Sequence, residues 1–97
     1  MKNNKFSLEE LRTQLDAIDK DLLDNLVRRF KLIEDIGRYK KDNKIDVVQN
    51  KRIKYILDRV QETAQNNGLE PEIFKNIYIS IINAACEVEE KIINLDK

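Results

Sequence analysis

The sequence predicts an all-α fold, three helices ordered long–short–long in one small domain spanning residues 1–97. Three observations predict it. Apolar residues recur at steps of three and four along most of the 97-residue chain, which is the spacing of one helical face. Two Gly, one Pro and no Trp leave too little turn chemistry for the many hairpins of a β-sandwich or barrel. Helix start and stop signals fall where the periodic stretches begin and end.

The first helix is predicted over about residues 8–42. Ser7 followed by Glu10 is a capping box. Leu8, Leu11, Leu15, Ile18 and Leu22 then form a heptad seam, which shifts through Leu26, Phe30, Ile33 and Ile36 and decays in the polar stretch 40–44. At 1.5 Å per residue such a helix is about 50 Å long, more than a domain of this size can cover, so its stripe calls for another chain. After a loop, the second helix is predicted over about 49–66, with Ile53, Ile56, Val60 and Ala64 inward and a left-handed stop at Asn66, Asn67 and Gly68. Pro71 opens the third, at about 71–94, with Phe74, Ile77, Ile81, Ala84 or Ala85, Val88 and Ile92 inward.

Composition narrows the function. Hydrophobic residues at 41% are too many for a disordered chain, and charged residues at 37% too many for a membrane protein. Eighteen Lys+Arg balance 18 Asp+Glu, which gives no reason to expect a nucleic acid. One Cys and no His exclude a disulfide framework, a zinc finger, a Ser-His-Asp triad and a His-based metal site, so neither metal nor cofactor is expected. The opening MKNNKFSLEE has no apolar stretch of the kind a secretory leader needs, so the expected location is cytoplasmic.

Chemistry is read from charges in unexpected places. Arg29 lies seven residues after Leu22, and Lys40 lies seven after Ile33, so both sit on or beside the inner stripe. Gly37, between them, removes a side chain and leaves room. Glu89 aligns with Ile82, Ala85 and Ile92 on an inward face of the third helix. Two cations and a carboxylate directed inward form either a buried ion-pair network or the lining of a site for an anionic ligand. Arg12 and Arg29 are rotated by roughly 100° and about 25 Å apart along a straight helix, so they cannot serve one small ligand from the same chain.

The run LEELRTQLDAIDKDLLDNLVRRFKLIEDIGRYK, residues 8–40, resembles the first helix of the all-helical (AroQ-type) chorismate mutases. The likeness continues through Arg52, the Asn67-Gly68-Leu69 turn and the Ile81-Ile82 pair ahead of Glu89, covering nearly the whole chain. It implies an intertwined helical homodimer, with a dicarboxylate (chorismate) as substrate and prephenate as product in aromatic amino-acid biosynthesis. It also implies roles. Arg12 reaches into the partner's site, Arg29 binds a carboxylate, and Lys40 contacts a carboxylate and the ether oxygen. Arg52 binds the second carboxylate region, Glu89 faces the ether oxygen from the opposite side, and Ala85 lines the site. On this reading Arg29→Ala and Lys40→Ala abolish turnover and spare the fold, whereas a buried ion pair makes them destabilising.

Two positions depart from the family pattern. Gln49 and Ile53 stand where the family often carries carboxylates near the ring hydroxyl. The related isochorismate-pyruvate lyases, which form salicylate, lack the second of these carboxylates too. Lyase activity is therefore one alternative, and a non-catalytic helical dimer or regulatory module is another.

Overall fold

The computed structural model describes residues 5–95 as three helices, α1 (Leu8–Asn43), α2 (Asn50–Asn66) and α3 (Pro71–Asn94), with no strand among them. The first four residues of the opening stretch lie outside the described residues. No helix among the described residues is long and apolar enough to cross a membrane.

Three of the helix ends have a local hydrogen-bonding cause. At the start of α1, the Glu10 N–H donates to Ser7 Oγ at 3.1 Å and the Ser7 N–H to Glu10 Oε1 at 3.4 Å, so two otherwise orphaned donors are satisfied reciprocally. Glu9 and Glu10 in the first turn and Lys40 and Lys41 in the last complement the helix dipole. At the end of α2, Leu69 N–H donates to the Ala64 carbonyl (2.9 Å) and Gly68 N–H to that of Gln65 (3.1 Å). Gly68 supplies the left-handed backbone, φ +70°, that this pattern requires. The end of α1 repeats the pattern: Ile45 N–H donates to the Lys40 carbonyl (2.9 Å) and Lys44 N–H to that of Lys41 (3.4 Å). Here the left-handed residue is Lys44, at φ +55°.

The described residues divide into two compact units, one ending at Leu32 and the other beginning at Ile33. The first is α1 as far as Leu32. In the single chain its seam residues Leu8, Leu15, Ile18 and Leu22 are all more than half exposed, as are Leu23 and Val27.

In the second unit α2 packs on α3. Ile56, Val60 and Ile82 form the centre of the core, with Ile53, Leu57, Phe74, Tyr78 and Cys86 partly buried against it. Small side chains at Ala64 and Ala85 are buried and let the helices approach. No large side chain among the described residues is fully buried, so the core is thin, as expected for so short a chain. Of the two inward lines expected on α3, the one aligned with Glu89 is the buried one. That line runs through Ile82, Ala85 and Glu89, while Ile77 is 53% exposed. Apolar residues lie nearly all round α3 from Ile73 to Ile93, so periodicity does not single out the face that meets α2.

The two left-handed positions differ in side chain, and their substitutions are expected to act in opposite directions. Gly68→Ala meets no atom within 4 Å, so its cost is backbone strain alone, about 1–2 kcal/mol. Lys44→Gly relieves the same kind of strain and is expected to stabilise by roughly 1 kcal/mol. Urea unfolding of both variants measures the two changes.

Candidate active site

The stop at Lys44 folds the chain back over the end of α1, and there the Lys40 Nζ donates to the Val47 carbonyl at 2.8 Å. On its other side Nζ lies 2.7 Å from Glu89 Oε1 on α3. The contact is an ion pair by distance, without the angle of a hydrogen bond. Both side chains are shielded, with Lys40 at 14% and Glu89 at 6% exposure. An ammonium has three donors, so Lys40 can hold both partners and still offer one to a ligand.

Gly37, one turn before Lys40, lets α3 come this close. A Cβ there would stand 3.1 Å from Ile92 Cδ1 and 3.3 Å from Glu89 Cα. The second of these is backbone and cannot move aside without shifting α3. The room that Gly37 makes is thus filled by the helix carrying Glu89. Ala85, one turn before Glu89 on the same face, is buried and presents only a methyl group.

The other candidate residues are placed as follows. Gln49 precedes α2, and its side-chain amide donates to the Asp46 carbonyl at 2.8 Å. Arg52 is exposed on the first turn of α2, its guanidinium carbon 5.1 Å from the centroid of the Tyr55 ring. Ile53 is half-buried against the Ile56, Val60 and Ile82 cluster, so it has a packing role whatever else it does. Arg12 and Arg29 belong to the first unit. Arg12 is exposed and paired with Glu9 at 3.2 Å, whereas Arg29 is half-buried. The structure therefore brings Lys40 and Glu89 into contact with Gly37 and Ala85 around them.

Sequence reasoning missed two neighbours of the candidate residues, the Val47 carbonyl at Lys40 and the Tyr55 ring at Arg52. The Val47 carbonyl carries no side-chain signal. Tyr55 carries one, since it stands three residues after Arg52 and four before Arg59, spacings at which helical side chains meet. Cys86, one turn before Glu90, is not a nucleophile at neutral pH. Burial above all, then the Glu89 carboxylate, push its thiol above the usual range, with Lys40 opposing. A shielded cation beside a carboxyl group, with no activated nucleophile, is suited to holding an anion and stabilising charge on oxygen.

Comparison with known proteins matches residues 11–90 to a family model described as chorismate mutase type II. A relative from Streptomyces venezuelae named 4-amino-4-deoxychorismate mutase is 36% identical over 87 residues, covering 90% of this chain and 84% of its own. One of the same name from Streptomyces pristinaespiralis is 31% identical over 84 residues, 87% of this chain and 65% of its own. A chorismate mutase from Methanocaldococcus jannaschii is 28% identical over 75 residues, 77% of this chain and 76% of its own.

The ion pair revises the expectation that Lys40→Ala spares the fold. Removing Lys40 leaves Glu89 buried without its counter-charge, at a cost of about 3–5 kcal/mol. Adding Glu89→Gln to Lys40→Ala removes that stranded charge, and urea melts are expected to show most of the stability restored while turnover stays lost.

Proposed function

Because the chain belongs to the type II chorismate mutase family, we propose that it rearranges chorismate to prephenate, with Lys40 and Glu89 at the ether oxygen. The family makes it an isomerase. The step is unimolecular: a C–O ether bond breaks as a C–C bond forms, with no net proton transfer and no covalent intermediate. The work left to the protein is to hold a flexible dianion in its compact conformer and to stabilise charge growing on the ether oxygen.

The observation that carries this reading is the shielded Lys40–Glu89 pair. A lysine is a compact point charge that suits a single oxygen, whereas arginine suits the planar, two-point binding of a carboxylate. Lys40 accordingly takes the ether oxygen and one carboxylate edge, and Arg29 and Arg52 take carboxylates. Glu89 faces the same oxygen from the other side. An ionised carboxylate only accepts hydrogen bonds, so Glu89 must carry a proton to help. When substrate enters, Lys40 exchanges its contact with Glu89 for one with substrate oxygen.

The active form in this reading is a homodimer. The exposed seam Leu8, Leu15, Ile18 and Leu22 is a heptad face suited to a second helix of the same kind. A two-fold pairing of α1 with its copy would carry Arg12 to the partner's site. Sedimentation is expected to give a dimer at micromolar concentration. A well-folded monomer there would remove the shared-site reading.

A second reading concerns the ring substituent. The two Streptomyces relatives are named for a substrate with an amino group in place of the 4-hydroxyl, and Gln49 and Ile53 are the positions where this chain lacks carboxylates. A carboxamide oxygen at Gln49 can accept from an ammonium as well as from a hydroxyl. All three relatives are named mutases, which favours rearrangement over the lyase's fragmentation.

Supplying chorismate, 4-amino-4-deoxychorismate and isochorismate separately and identifying the products tests these readings together. Prephenate from chorismate is expected. Preference for the amino substrate would select the second reading, and salicylate from isochorismate would overturn both. With the preferred substrate, Glu89→Gln, which keeps the shape and supplies a permanent N–H donor, is expected to retain turnover.

A further inference from the structure

Several exposed cations on these helices are held by carboxylates at helical spacing. Arg38 pairs with Asp35, Lys20 with Asp24, Lys54 with Asp58 and Lys91 with Glu87. Arg52 is held differently. Its neighbours at three and four residues on either side are Val48, Gln49, Tyr55 and Ile56, and none is a carboxylate. The first turn of α2 contains no acidic residue at all. The guanidinium carbon lies instead 5.1 Å from the centroid of the Tyr55 ring, with that of Arg59 5.7 Å from the same centroid. Tyr55 is 52% exposed, away from the Ile56, Val60 and Ile82 centre of the core, so packing there does not account for an aromatic residue.

We propose that Tyr55 is a positioning residue for Arg52, fixing its guanidinium for a substrate carboxylate without neutralising its charge. The proposal rests on the reading that Arg52 binds substrate. A carboxylate at this spacing would also fix the arginine, but it would occupy the same N–H groups and compete with the incoming anion. An aromatic face attracts the cation through the ring quadrupole and is not a hydrogen-bond partner that takes up its N–H donors. The five N–H donors lie in the guanidinium plane and stay available at its edge for two-point binding of a carboxylate. The arginine is thereby restrained before substrate arrives, and less side-chain freedom is lost on binding. Restraint of this kind acts alike on bound substrate and on the transition state, so it belongs in KM rather than kcat.

The test is steady-state kinetics on full-length protein for Tyr55→Ala, Tyr55→Phe, Arg52→Ala and the Arg52→Ala/Tyr55→Ala double variant, with urea midpoints measured alongside. An exposed cation–aromatic contact corresponds to about a two- to fivefold effect. Tyr55→Ala is therefore expected to raise KM by that factor with kcat and the urea midpoint little changed. Tyr55→Phe keeps the ring face and is expected to match wild type. In the Arg52→Ala background, Tyr55→Ala is expected to add nothing further to KM, because its effect passes through the arginine. A raised KM in Arg52→Ala with an unchanged KM in Tyr55→Ala would overturn the positioning role and leave the role of Arg52 standing. So would Tyr55→Phe behaving like Tyr55→Ala, or additive effects in the double variant. An Arg52→Ala variant with wild-type KM would overturn the role of Arg52 and the proposal with it.

Discussion

Two opposite charges are held out of water at Lys40 and Glu89, and much of the second unit is arranged around that fact. Removing each ion from water costs several kcal/mol, and attraction between them offsets this only at short range with further polar partners in place. Glu89 Oε1 accepts no hydrogen bond, so what offsets the cost is the 2.7 Å separation and the Val47 carbonyl at 2.8 Å from Lys40. Both depend on the backbone. The turn at Lys44 brings Val47 over the ammonium, and Gly37 lets α3 approach until Glu89 is within reach. A well-packed pair of apolar side chains would serve stability as well or better. The Lys40 cation is accounted for by the reaction proposed, in which negative charge develops on an oxygen beside it.

The same division between structural and chemical demands runs through the helix surfaces. At Arg38, Lys20, Lys54 and Lys91 a carboxylate one turn away holds the cation, and such exposed pairs contribute little to stability. At two of the cations proposed to meet substrate the neighbours leave the charge in force: a carbonyl dipole and a displaceable carboxyl group at Lys40, an aromatic face at Arg52. Ile53 shows the two demands meeting at one position. It is half-buried on the core cluster and occupies a position where the resemblance places a substrate contact. An apolar residue there supports the α2–α3 packing and gives up an acceptor for the ring substituent. The choice bears on stability and substrate preference together.

The sequence by itself determined the helices and their ends. Capping at Ser7 and Glu10 and the stop at Gly68 involve residues no more than five apart, so their hydrogen bonds follow from local composition. It also marked Lys40 and Glu89 as charges on inward faces, and the resemblance joined them with Arg12, Arg29 and Arg52 into one chemistry. Only the tertiary structure decided between the two inward faces that the sequence offers on α3. Apolar residues surround that helix, and the choice of Ile82, Ala85 and Glu89 over Ile77 comes from the fit against α2 and the end of α1. The left-handed turn at Lys44 was likewise hidden, because a lysine carries no signal for a conformation that glycine adopts freely. The pairing of Lys40 with Glu89 crosses 49 residues of chain and exists only because a missing Cβ at Gly37 lets two helices touch. Contacts between helices depend on how far each is rotated and how closely they approach, and neither quantity is written in local sequence.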